Sequence, residues 1–167
     1  MGVRLRIPFM REKVHEESQG SQANGRLEDR QAIPLTKILV VDDDQVILKT
    51  VRRKLEGVGY RVATALDGSE AIAAVRTENP DLILLDITFP PDVAGVPWDG
   101  FRVMEWLHHM EGPKKIPVII ITGGQEVQNR ERALAAGAVA FFNKPIDHDD
   151  LIHVIHATLS HSKAPIS

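Results

Sequence analysis

A chain of 167 residues that is 43% hydrophobic and 26% charged has room for one globular domain, and is too apolar to be disordered throughout. Twenty basic against 23 acidic residues, net −3, exclude a global pull toward nucleic acid or an anionic membrane. The lack of cysteine excludes disulfides, thiolate nucleophiles and Cys-ligated metal centres.

No apolar run approaches the roughly 20 residues of a membrane-spanning helix. The opening MGVRLRIPFMREKVHEE lacks the apolar stretch of a secretory signal. A soluble, cytoplasmic, single-domain protein is therefore expected, with neither membrane insertion nor direct nucleic-acid binding. Residues 1–36 carry six basic and five acidic side chains, and HEESQGSQANGRLEDRQ offers little to bury. They read as a flexible extension, in which only the apolar piece Leu5 to Met10 could dock. The rest holds 14 basic and 18 acidic residues, which weakens a nucleic-acid role further.

From Lys37 the pattern turns regular. Ile38–Val41 is a short apolar run, and Asp44 is placed to cap a helix in which Ile47, Val51 and Leu55 recur four apart, with Gly57 and Gly59 to end it. A second run, Arg61–Ala65, precedes a helix opened by Asp67-x-x-Glu70 and stopped before Pro80. The third run, Leu82–Leu85, leads past a long loop to a helix from about Phe101 to Met110, with Val103, Met104 and Leu107 on its apolar side. Pro117–Ile121 is followed by a helix over 126–136 that ends at Gly137. Val139–Phe142 precedes the last helix, capped by Asp147, with Leu151, Ile155 and Leu159 four apart.

Short strands alternating with helices, two of the strands almost wholly aliphatic, predict right-handed βαβ units around a parallel sheet covered on both faces. The fold class is thus α/β, a flavodoxin-like doubly wound (βα)5 domain over residues 37–160, with strand order 2-1-3-4-5 and a tail at 161–167. In such sheets ligands bind beyond the carboxyl ends of the strands where the order reverses, here between the first and third. The first run ends in Asp42-Asp43-Asp44 and the third in Asp86. Solvated loop acids and a helix cap explain Asp44 well. They explain Asp86 poorly, since ILLD puts a carboxylate at the end of a buried strand.

Several carboxylates held close cannot all stay ionised without compensation, and a hard divalent cation provides it. The fourth run ends at Thr122, a hydroxyl donor, and the fifth leads into Lys144-Pro145, an ammonium at the same edge. A carboxylate nucleophile, a metal site, a hydroxyl and a lysine suit phosphoryl transfer, with an acyl phosphate as product.

KILVVDDD, DLILLDITFP, PVIIITGG and FFNKP, in this order, resemble the receiver domain of two-component response regulators, chemotaxis-type regulators included. The resemblance covers Lys37 to about Ser160. It implies Asp86 as phosphoacceptor, Asp43 as a direct Mg2+ ligand (Mn2+ could replace the ion), Asp42 holding a metal-bound water, and the backbone carbonyl of Thr88 as a further ligand. Thr122 and Lys144 would contact the phosphoryl group, and the Lys144–Pro145 bond would be cis. It implies a sensor histidine kinase or phosphotransfer protein as donor, and no turnover enzyme. It also implies a switch in which Thr122 moves, Phe141 turns inward, and a face of helix four, strand five and helix five meets a partner or passes phosphate on. Phe141 has a plainer reading, a core aromatic.

Two features depart from the family. FPPDVAGVPWDG is about six residues longer than the usual loop; it either gates the site, forms part of a partner surface, or is a tolerated insertion with Trp98 folded onto the third helix. In the family the residues two beyond the acceptor and the hydroxyl, here Thr88 and Gly124, place or block a water; Gly124 has no side chain for that task, so unaided hydrolysis that is not fast is expected. Among rivals, a haloacid-dehalogenase-type phosphatase can be threaded through Asp42-x-Asp44, Thr122, Lys144 and Asp149-Asp150, with Asp42 as nucleophile. It leaves no room for a flap after Asp44 and no task for Asp86. A phosphorylation-independent binding module of the same fold is the other rival, although such modules typically lose residues that are all present here. His148, His153 and His156 read as a solvated helix face, adjacent His108 and His109 as pointing apart, and Arg52-Arg53-Lys54 as the wet side of helix one.

Overall fold

The computed structural model describes residues 36–88, 99–110, 115–123 and 126–162, without the side chains of 126–128 and 162. The chain divides into two units, 1–34 and 35–167, and all described residues belong to the second. The expectations for the extension before Thr36, with its Leu5–Met10 piece, for the loop at 89–98 with Trp98, for Gly124 and for 163–167 lie outside the described residues.

Elements alternate strictly: β1 (Lys37–Val41), α1 (Gln45–Gly57), β2 (Arg61–Ala65), α2 (Gly68–Glu78), β3 (Leu82–Leu85), α3 (Gly100–His109), β4 (Val118–Thr122), α4 (Glu126–Ala135), β5 (Ala140–Asn143) and α5 (His148–Ser162). The strands form one sheet in the order β2-β1-β3-β4-β5, and every pairing is parallel. This is the predicted doubly wound α/β fold.

The two-residue period of a strand explains why both faces are apolar. Leu39, Val41, Ile83, Leu85, Val118 and Ile120 point to one side, where they pack with Ala71 and Val75 of α2, Phe101, Val103 and Met104 of α3, and Ala133 of α4. Ile38, Val40, Leu82, Leu84, Ile119 and Ile121 point to the other, against Leu48, Val51 and Leu55 of α1 and Leu151, Ile155 and Leu159 of α5. β3 and β4 are buried along their whole length. Each such side chain contributes roughly 1.5–3 kcal/mol, so the centre of the sheet is the rigid platform on which β1 and β3 end.

Local chemistry sets the helix ends. Asp44 accepts from the N–H groups of Val46 (2.7 Å) and Ile47 (3.4 Å). Asp67 accepts from Glu70 N–H at 2.8 Å, while Glu70 reaches back to Leu66 N–H at 2.8 Å, one residue earlier than a capping box strictly requires. Asp99 and Asp147 cap α3 and α5 in the same way. Gly137 ends the α4 turn at φ 91, and a Cβ there would lie 2.8 Å from Nε2 of His108.

Three details refine the expectations. On α1 the buried side chains are Leu48, Val51 and Leu55, with Ile47 half-buried against the same cluster; residues three and four before Val51 both lie on its face, and packing seats Leu48 deeper. Thr36 was assigned to the extension, yet it is buried and its carbonyl accepts from Arg61 N–H at 3.0 Å. α5 runs on to Ser162, past the boundary set at 160, because nothing before Ser162 breaks the helix.

Candidate functional site

Parallel strands all end at one edge, and β1 and β3 are neighbours there. The ladder carries on through the acids that follow them. Asp42 N–H donates to Ala65 O at 3.1 Å and Asp86 N–H to Val41 O at 2.9 Å. Both carboxylates are therefore fixed by backbone that belongs to the sheet, and each residue is only 2% exposed. Asp43, between the β1 end and the Asp44 cap, faces solvent. Carboxylate oxygens of Asp42, Asp43 and Asp86 come within 4.8 Å of one another, the group of acids or histidines that converges in this way among the described residues.

Lys144 reaches this cluster from the end of β5. Its Nζ lies 2.6 Å from Asp86 Oδ2 and 2.6 Å from Asp42 Oδ2. The Lys144 N–H donates to Thr122 O at 2.9 Å, and the Lys144–Pro145 bond is cis. The other oxygens of the two acids are held as well. Asp42 Oδ1 accepts from Asp44 N–H at 2.9 Å. Asp86 Oδ1 accepts from both the N–H (2.8 Å) and the hydroxyl (2.7 Å) of Thr88. Thr122 is fully buried at the end of β4, paired with Asn143 of β5.

Burial pushes the Asp42 carboxyl above its ordinary value, and the Asp86 charge adds to that. The hydrogen bond and charge of Lys144 and the Asp44 N–H pull the other way without reversing it. For Lys144, burial works to lower the ammonium. Its hydrogen bonds to Asp42 and Asp86 and their charges outweigh burial, so it is held above its ordinary value. It stays a cation across all ordinary conditions. Three carboxylates against one ammonium leave an excess of negative charge at a site with two buried acids, and all the candidate donors are oxygens. That donor set fits a hard divalent ion such as Mg2+, with Asp43 open to water.

Sequence reasoning assigned Thr88 only a backbone role and missed its hydroxyl on Asp86. The available signal was a Ser or Thr two residues after an acid at a strand end, where Asp commonly bonds the backbone two residues on. Lys144 was expected at the phosphoryl group, and the structure adds its bridge to Asp42. Phe141 is half-buried against the α2–α3–α4 side of the core. α1 starts at once after Asp44, and Asp149 and Asp150 are exposed in the first turn of α5. Neither arrangement suits the haloacid-dehalogenase-type order of residues. His153 and His156 are exposed, and His108 and His109 bond different carbonyls, those of Ala136 and Glu105.

Gly100 positions the loop's far end. A Cβ on it would sit 2.6 Å from the Asp86 carbonyl oxygen and 2.7 Å from Ile87 Cα, so α3 begins in direct contact with the backbone of the phosphoacceptor candidate.

The model of the response regulator receiver domain matches residues 38–156. The chain is 33% identical over 125 residues to the DNA-binding dual master transcriptional regulator RpaA of Synechocystis sp., covering 75% of this chain and 49% of that one. It is 38% identical over 111 residues to the response regulator PleD of Caulobacter vibrioides, 66% of this chain and 23% of the relative. It thus spans half or less of the length of these two curated relatives. A CheY-like receiver domain protein from Methanospirillum hungatei superposes with a TM-score of 0.68 at 32% identity, over 77% of this chain and 97% of that one. With the sheet order, the paired acids and the lysine already in place, the match over most of its length settles its kinship: the chain belongs to the response regulator receiver domain family.

Proposed function

We propose that Asp86 is a phosphoacceptor, taking a phosphoryl group from the phosphohistidine of a sensor kinase or phosphotransfer protein. The observation that carries this reading is the Asp86 carboxylate clasped between Lys144 Nζ at 2.6 Å and Thr88 at 2.7 and 2.8 Å, beside Asp42 and Asp43. A carboxylate oxygen attacks phosphorus in line, the P–N bond of the donor breaks, and an acyl phosphate forms on Asp86. Lys144 neutralises charge on the phosphoryl oxygens, and the Thr122 hydroxyl donates to one of them. Asp42, Asp43, Asp86 and the carbonyl of Thr88 would hold Mg2+, which supplies further neutralisation of those oxygens.

Phosphorylation then biases a two-state face of α4, β5 and α5, with Thr122 and Phe141 as the moving side chains. The output is protein binding or onward phosphate transfer, so the chain is an acceptor and no turnover enzyme. RpaA's DNA-binding role belongs to that longer protein. No helix among the described residues is long and apolar enough to cross a membrane, in keeping with a cytoplasmic setting.

The test is incubation with acetyl phosphate and Mg2+ followed by intact-mass measurement. Wild type is expected to gain one phosphoryl group and Asp86→Asn none. Equal labelling of the variant, or labelling lost only on changing Asp42, would overturn the assignment. An unlabelled wild type would favour a phosphorylation-independent binding module.

A further inference from the structure

At the edge of the sheet opposite Asp86, the last turns of α3 and α5 and the entries to β4 and β5 surround a cavity of about 710 Å3. Small-molecule sites run from roughly 300 to 1,000 Å3 and are mostly apolar with a few convergent polar groups. Here Leu107, Met110, Val139 and Ala157 supply apolar wall. Met110 and Val139 are 37% and 50% exposed, so large apolar side chains stand open to water around a concavity.

Among the polar lining residues Lys115 carries a positive charge, beside His108, Thr158 and His161, and no Asp or Glu is among the described lining residues. Lys115 pairs with no acid among the described residues. His161 spends its Nδ1–H on the Ala157 carbonyl at 2.6 Å, so the charge of the lining comes from Lys115. A neutral apolar ligand would bury the wall and gain nothing from the ammonium. A ligand with an anionic end satisfies both.

We propose that this cavity binds a free amphipathic carboxylate, its apolar chain against the ends of α3 and α5 and its carboxylate toward Lys115. The site shares no residue with the acidic cluster, so occupancy and phosphorylation can be measured separately.

The probes are decanoate and decanol, titrated into the full chain while backbone amide shifts are followed by NMR. Decanoate is expected to give saturable shifts confined to residues 107–110, 115–118, 137–139 and 157–161. Lys115→Gln, and decanol in place of decanoate, should each weaken binding by roughly fivefold, the upper range for one partly exposed charge pair. Ala157→Trp, at an exposed position, should abolish binding while the remaining spectrum and labelling by acetyl phosphate stay as in wild type. Shifts centred on Lys144, decanol binding as tightly as decanoate, or an unchanged affinity in both variants would each overturn the proposal.

Discussion

Asp42 carries a charge that its surroundings disfavour. Burial holds it above its ordinary value of 3.8, so the native chain grips that proton more tightly than the unfolded chain does. The stability contributed by this group is therefore greatest below pH 3.8 and is lost as pH rises past that value through the higher folded one. Asp42→Asn is expected to stabilise the metal-free protein at pH 7 by about 1 kcal/mol, because Lys144 keeps its 2.6 Å bond to Asp86. Urea unfolding in chelator at pH 7 and pH 3.5 checks this, and the advantage should shrink at the lower pH. Lower stability of the variant at pH 7 would mean that the attraction of Lys144 outweighs burial. A buried acid held at a cost to stability is the pattern of a site kept for binding. The aspartates themselves were legible in the sequence because aliphatic runs ended in them. Lys144 was legible too, as an ammonium at the same edge; its bridge to both acids was not, since that depends on how the folded strand ends approach one another.

The junction between β3 and α3 couples the site to the fold at the level of elements. α3 starts with Gly100 packed on the Asp86 carbonyl, a contact only a residue without Cβ can make. Gly100→Ala must move either α3 or the Asp86 backbone. It is expected to cost about 1–3 kcal/mol and to slow labelling by acetyl phosphate, read by thermal denaturation and by the mass assay on the same sample. Full stability with normal labelling would show that the junction is pliable. α3 also meets α4 and the turn after it, through the Arg132 guanidinium 3.8 Å over the Phe101 ring and His108 on the Ala136 carbonyl. The helices themselves were readable from caps and periodicity, and Asp44, Asp67 and Asp147 cap where expected. The phase of α1 was not: Ile47 and Leu48 are both apolar, and only the opposing sheet selects Leu48.

Across the whole molecule, ligand and fold are linked by mass action. An ion that binds the native acids and not the unfolded chain stabilises by RT ln(1 + [L]/Kd), about 2.7 kcal/mol at a hundredfold excess over Kd. Mg2+ is expected to raise the melting temperature of wild type in a concentration-dependent way, and to raise that of Asp43→Asn far less. Equal shifts in both would place the ion elsewhere. Strand number, strand direction and the layered α/β class followed from the sequence alone, because apolar periodicity and helix caps act over a few neighbouring residues. The identity of the acidic residues followed too, since they stand at the ends of two apolar runs. Only tertiary structure decided that Thr88 donates its hydroxyl to Asp86, that Lys144 bridges two acids, that Gly100 touches the Asp86 backbone, and that a cavity opens at the far edge. Those are contacts between segments distant in the chain or set by loop geometry, and their distances exist only once the parallel sheet has brought the strand ends together.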